Sequence, residues 1–455
     1  MESRDWRRLH LPSRLIWLML VAVFVCNIYR AATQGVIIDE AFTYQHFVAP
    51  PLNQVVMSYS GNDHVLNSLL AKVPTGLFGV SELTLRMPSL LGGLIYLLAV
   101  RAIVLYTFSA EWAVAAFALL SLNPFVLDFL SAARGYGLGL GFLMSALWFF
   151  QRSKWYPGGV CCGLAIASNL SFAFPVAGFC AMVMLFNVTK TNYWWFVERV
   201  CIPVTMLTFI FYVLPSRSAD PEQFAYGATS LVNALLSYIN LTFLRKSPPF
   251  APLVESSAEA LAILILVCSA VACVAILINR SQTPVDRLIV LIGGAMTLCL
   301  AITWFAHVTV RIGYPLTRYG VYWPVMLSLG GMALADRFAR IRALRWTALA
   351  LAALCVAQFL NEFEVSYYEE WRYDAGSKRI ATFILQMVGK GKERIACDGN
   401  LAHSLIFYRD LNHAEWEVDP DPKADGALHV LLEDEFRSDL KLLYRDPVSH
   451  AVVMQ

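Results

Sequence analysis

Long apolar runs alternate with short polar breaks over the first 360 residues, and ordinary polar–apolar mixing follows to the end of the chain. Runs at 15–29, 88–105, 112–127, 136–150, 194–214, 258–278, 288–305, 321–334 and 346–360 approach the length that crosses a bilayer as a helix, about 20 residues. The stretch 158–186 is too long for one such helix. Ser168-Asn169-Leu170-Ser171 and then Pro175 interrupt it, so it reads either as one broken helix or as a hairpin of two short ones.

Positive charge separates these readings. Basic residues favour the cytoplasmic side of membrane helices. With the N-terminus and its Arg4, Arg7, Arg8 and Arg14 in the cytoplasm, a hairpin puts the 151–154 loop, Lys190, the 279–287 loop and the arginine-rich 337–345 loop on that side together. A single span would put the last two outside. The pattern therefore predicts about eleven transmembrane helices, the first retained as an insertion signal. A tail from residue 361 lies outside the membrane.

Between the first two spans lies a long loop, 30–85. Its segment 62–72 has the apolar spacing of a helix lying along the membrane surface. In the tail, 394–398 and 428–432 read as strands and 401–408 as a helix. The expected architecture is an all-α polytopic membrane domain, 1–360, followed by a small α/β extracytoplasmic domain, 361–455.

Composition fits this reading. The chain has 455 residues, 58% hydrophobic and 15% charged, with a mean hydropathy of +0.56. A net charge of +2 offers no basic field for nucleic acid. The ten cysteines show no paired spacing that would imply a disulfide framework or a zinc site. No internal repeat is visible, which argues against a transporter built from inverted halves.

Polar residues with chemistry fall on the outer side of this topology. They include Asp39, Glu40, Asp63, His64, Lys72, Glu82, Arg86, Asp128, Arg134, His307, Arg311 and Arg318. Arginine's fork suits phosphate oxygens. A carboxylate suits removal of a hydroxyl proton. Together they describe transfer of a group from a phosphate leaving group to an alcohol. Each also has a plain structural use: loop solvation for the acids, snorkelling for Arg86, interfacial anchoring for Arg318 and surface placement for the histidines.

Several segments in order resemble a known family. Asp39-Glu40-Ala41 follows the first helix, and His64 opens the surface helix. Leu77-Phe78-Gly79-Val80-Ser81-Glu82 continues to Arg86-Met87-Pro88-Ser89. Asn123-Pro124, the hairpin Ala133-Arg134-Gly135-Tyr136 and Arg318-Tyr319 follow, and the tail carries Trp371-Arg372-Tyr373-Asp374-Ala375 and Cys397-Asp398-Gly399. This series resembles the GT-C superfamily of polyprenyl-phosphate-sugar-dependent glycosyltransferases. The nearest type is glycosyltransferase family 39, the protein mannosyltransferases and aminoarabinose transferases. Two departures stand out. Many relatives have His-Pro-Pro or His-Lys-Pro where this chain has Asp63-His64-Val65-Leu66. Many also carry a glutamate two places before the hairpin arginine, where this chain has Ala132.

The resemblance implies a transferase with Asp39, the catalytic carboxylate, and Glu40 beside it as the catalytic acids; the transfer is expected to invert, and short loops without long insertions point to a bacterial inner membrane. Arg86, Arg134 and Arg318 would hold the donor phosphate. Asp63, His64, Tyr136 and His307 would contact acceptor or sugar. The implied partners are a polyprenyl-phosphate-linked sugar, the bilayer, and an acceptor glycan, lipid or protein. No obligatory metal is expected; Asp39, Asp63 and His64 are the donors a divalent cation would take. The rival readings are a flippase for a lipid-linked sugar and a structural envelope subunit.

Overall fold

The computed structural model describes residues 10–55, 60–187, 193–212, 215–218, 227–281 and 283–455. Arg4, Arg7, Arg8 and Lys190, used above for topology, lie outside them. Helix α1 spans His10–Thr33. The loop after it folds into α2 (Ile38–Thr43), a π turn at Tyr44–Val48, α3 (Leu52–Val55) and α4 (Val65–Phe78). Then come α5 (Glu82–Thr107), α6 (Ala110–Ser121), α7 (Pro124–Phe129), α8 (Tyr136–Gln151), α9 (Trp155–Ser168) and α10 (Ala173–Asn187). Short α11 (Tyr193–Phe196) runs through a π turn into α12 (Ile202–Tyr212). The bundle closes with α13 (Leu231–Phe243), α14 (Ala251–Asn279), α15 (Pro284–Val310), α16 (Tyr322–Arg337) and α17 (Arg342–Glu362).

The protein is a multi-pass membrane protein. Six of these helices are long and apolar enough to cross a bilayer, and shorter apolar helices pack among them. Helix α14 shows why: Leu253, Leu264, Val267, Val271, Val274 and Ile278 are exposed, a face that water would not tolerate and lipid does. The ambiguous stretch resolves as two helices. Asn169 is extended, α9 packs on α8 and α12, and α10 packs on α15. Helices α5 and α8 approach closely at glycines: a Cβ on Gly141 would lie 2.5 Å from Gly92 O.

Polar contacts gather at two opposite ends of the bundle. At one end Arg287 donates to Gln151 O (2.7 Å) and to the Ser153 hydroxyl (3.0 Å), Arg337 meets Asp286 (2.7 Å), and Arg345 pairs with Glu111. The described basic loops therefore share one face, as the charge pattern requires. At the other end Asp128 accepts from Arg30 (2.6 Å), pairs with Arg245 (3.0 Å), and caps the Glu369 N–H (3.2 Å). That network ties α1, α7 and α13 to the tail.

The tail adds α18 (Ser377–Val388), β1 (Arg394–Cys397), α19 (Gly399–Leu411), β2 (Glu417–Asp419), β3 (Leu428–Leu431), β4 (Leu442–Arg445) and β5 (Val452–Met454). The sheet order is β2-β1-β3-β5-β4, parallel through its first three strands and antiparallel beyond. The tail is not a free appendage. Ile380, Leu401, Leu405 and Val430 share one apolar core with Val36, Ala41, Leu85 and Ala133 from the loops beside the membrane. Tyr408 accepts from Val36 N (2.8 Å) and donates to Glu82 (3.1 Å), and Ser377 donates to Val36 O (3.0 Å).

Candidate active site

Asp39 and Glu40 both lie in the first turn of α2, where acids complement the helix dipole. Successive helical residues are about 100° apart, so the two carboxylates face different surroundings. Glu40 is fully buried. It makes a two-toothed pair with Arg86 (2.9 and 2.6 Å) and accepts from Ile37 N (3.1 Å) and Ala133 N (2.5 Å). Arg86 spends its other N–H groups on Ala31 O (3.1 Å), Gln34 O (2.7 Å) and Gly35 O (2.6 Å). All five guanidinium hydrogens are thus engaged. The structure corrects the expectation here: Arg86 has no N–H left for a phosphate and Glu40 no free lone pair for a proton. They clamp the loop.

Asp39 is different. Arg318 Nη2 lies 3.3 Å and Arg134 Nη2 3.9 Å from its Oδ2, Asn62 Nδ2 donates to Oδ1 (3.0 Å), and the Trp371 indole donates to Oδ2 (3.2 Å). Burial pushes the carboxyl upward, but the two guanidiniums and the two neutral donors outweigh it and hold Asp39 below the usual carboxylate range. Asp39 is ionised. Arg134 is fixed by Asn62 O (3.2 Å), Asn62 Oδ1 (2.5 Å) and the Thr43 hydroxyl (3.1 Å). Arg318 stands over the Trp371 and Tyr319 rings (5.4 and 5.5 Å) and faces Glu370 (3.7 Å).

Around this pair sit polar atoms with no hydrogen-bond partner among the described residues: Asp63 Oδ2, His64 Nε2, the Tyr136 hydroxyl, Arg134 Nε, Arg318 Nε and Glu370 Oε2. His64 is buried, edge-on to Tyr136 with centroids 5.0 Å apart. Asn169 Oδ1 accepts from Ser171 N (2.8 Å), so its Nδ2 faces His64 Nδ1 (3.0 Å). The imidazole proton then sits on Nε2. Burial, Arg134 and Arg318 all disfavour the imidazolium, so His64 offers a neutral N–H. The turn that sets this contact requires Gly135, because a Cβ there would lie 1.9 Å from Ser168 O. Its need is close approach, not an unusual φ.

Asp63 accepts from Ser68 (2.8 Å), and burial pushes its carboxyl up to about 7, against the Ser68 hydroxyl, Arg134 and the main-chain N–H of His64. An acid whose folded pKa is raised loses stability as pH climbs from its unfolded value, near 4, to its folded value, near 7. Asp63→Asn keeps the Ser68 contact without the charge. Its melting temperature should exceed wild type's at pH 8 and match it at pH 4; a scan of melting temperature against pH checks this.

His307 does not join the cluster. It caps Ile312 O (2.9 Å) and stacks on Tyr314 (4.2 Å), packing the end of α15. Asn62, Asn169, Glu370 and Trp371 are the residues that sequence reading passed over. The Trp371–Ala375 resemblance was the one available signal for Trp371, and it begins one residue after Glu370. Among the described residues no group of three or more His, Cys, Asp or Glu side chains gathers as a metal site.

No family model and no curated protein matches the sequence. Solved structures do. ArnT from Cupriavidus metallidurans in the apo state is 16% identical, covers 96% of this chain and 97% of its own, and superposes with a TM-score of 0.50. ArnT from the same organism bound to undecaprenyl phosphate gives 15%, the same coverage and 0.47. The Archaeoglobus fulgidus oligosaccharyltransferase in its apo form gives 12%, with 89% of this chain and 64% of that one, and 0.43. This chain shares its fold with that apo ArnT structure.

Proposed function

We propose that this protein transfers a sugar from a polyprenyl-phosphate donor to an acceptor hydroxyl at the outer face of a bacterial cytoplasmic membrane, with inversion. One observation carries the reading: the Asp39 carboxylate lies between two guanidiniums supplied by distant segments, beside buried polar groups that have no hydrogen-bond partner among the described residues.

The donor phosphate takes N–H groups from Arg134 and Arg318. Asp39, relieved of its counter-charges, gains proton affinity. It removes the acceptor O–H proton, the acceptor oxygen bonds to the anomeric carbon from the opposite face, and the bond from that carbon to the phosphate oxygen breaks. The electron pair leaves on polyprenyl phosphate, where the guanidiniums stabilise it. His64 Nε2–H and the Tyr136 hydroxyl face sugar or acceptor oxygens. Two guanidiniums at the phosphate supply positive charge, so we assign no obligatory metal.

An apolar cavity of about 480 Å³ between α13, α14, α16 and α17 suits the polyprenyl tail. Tyr238, in its wall, donates to Pro315 O and packs on Gly320, the segment that carries Arg318. Tail and headgroup sites thereby share α13.

Arg318→Gln should raise donor KM about tenfold to a hundredfold, the range of a hydrogen bond to a charged group. Arg394→Gln, exposed on the tail, should leave it unchanged; initial rates against donor concentration check both. For the reading itself, proteoliposomes are loaded with radiolabelled polyprenyl-phosphate sugar. Label reaching an acceptor or water with release of polyprenyl phosphate supports the transferase. Label crossing the bilayer with the glycosyl phosphate bond intact contradicts it and supports a flippase, which needs the arginines but no base between them.

A further inference from the structure

The C-terminal segment enters the site through a neutral group. Asp39 has four N–H neighbours, and two belong to cations. A phosphate competes for those two, because a guanidinium has five hydrogens and seeks anions. Asn62, the first neutral donor, is itself gripped by Arg134 through both its main-chain and its side-chain oxygen, so it follows that arginine. The second neutral donor is the Trp371 indole. Its single N–H points at Asp39 Oδ2, the ring is 2% exposed, and Phe129 stands edge-on to it at 5.7 Å.

We propose that Trp371 is a positioning residue for the transfer: its N–H holds the Asp39 carboxylate in line with the acceptor hydroxyl while the donor phosphate draws Arg134 and Arg318 away. This rests on Asp39 being the base. It also gives the tail a part in the reaction, since Trp371 sits in the turn Glu369–Asp374 that joins the membrane bundle to the sheet.

The charged and titratable groups facing Asp39 are Arg134 before α8, Arg318 before α16, Glu370, Tyr373 and Asp374 in the C-terminal segment, His403 on α19, and Glu40 on its own helix. Trp371→Phe alters none of them and keeps an aromatic ring under Arg318. It removes the donor that favours the ionised carboxylate together with part of a buried ring, whereas benzothienylalanine removes the donor and keeps the bicyclic shape. The Asp39 pKa rises, and the acid limb of kcat moves to higher pH, because the base must be ionised.

The test uses the full chain in proteoliposomes with a polyprenyl-phosphate sugar, comparing wild type, Trp371→Phe, and a variant with benzothienylalanine at 371, in which sulfur replaces the N–H. Wild type is assayed first; if it transfers no sugar, the enzyme reading fails and this proposal with it. Given transfer, both variants should lose about tenfold in kcat. Donor KM should be unchanged and the acid limb raised. Wild-type kcat in either folded variant, or a loss with the acid limb unmoved, overturns the positioning role. The benzothienylalanine protein decides if Trp371→Phe does not fold.

Discussion

Arg86→Ala should lose about 3–5 kcal/mol of stability and yield little folded protein, because breaking a fully buried ion pair strands the remaining charge. Typical domains have only about 5–15 kcal/mol in all. The loss does not stop at Glu40. Three carbonyls at the end of α1 and in the following turn, Ala31, Gln34 and Gly35, lose their donors as well. Buried acceptors left without partners each cost about 1–3 kcal/mol. A double variant with Glu40→Leu would remove the stranded charge but also abandon the Ile37 and Ala133 N–H groups, so it should not restore stability. Thermal melts in detergent check this. An Arg86→Ala protein that melts like wild type would show that the clamp is dispensable.

Asp39→Asn should behave in the opposite way: it should fold normally and turn over about a hundred- to ten-thousand-fold more slowly, the range of a lost general base. The carboxamide keeps the shape of the carboxylate and can still accept from Asn62 or Trp371. Removing the charge also releases Arg134 and Arg318 from their internal partner. Donor affinity should therefore hold or tighten while chemistry fails. That split separates a base from a residue that merely shapes the pocket.

Much of the fold was legible because apolar runs report burial in lipid directly. The spans at 15–29, 88–105 and 258–278 fall inside α1, α5 and α14. Helix α13 was not legible: its 13 residues are too few for a span, and Asn233, Ser237 and Asn240, spaced along one face, make that face polar. In the tail β1 and β3 were visible as apolar strands, whereas β2, Glu417–Asp419, is short and charged. At the site, Asp39, Arg134 and Arg318 could be gathered on one face from topology alone. Which of two adjacent acids turns inward could not, since that depends on Arg86 and Ala133, 46 and 93 residues away. His307 lies beside the turn that precedes Arg318, so topology alone could not separate it from the cluster; its contacts with Ile312 and Tyr314 place it at the end of α15. Trp371 reaches Asp39 across 332 residues, a distance over which sequence pattern carries no contact information.

The most direct measurement is single-turnover donor consumption by wild type and Asp39→Asn in proteoliposomes, with donor affinity measured on the same preparations. The account predicts donor affinity at least as tight in Asp39→Asn and a rate constant lower by about a hundredfold or more. Donor consumed at the wild-type rate by a folded Asp39→Asn protein would contradict it.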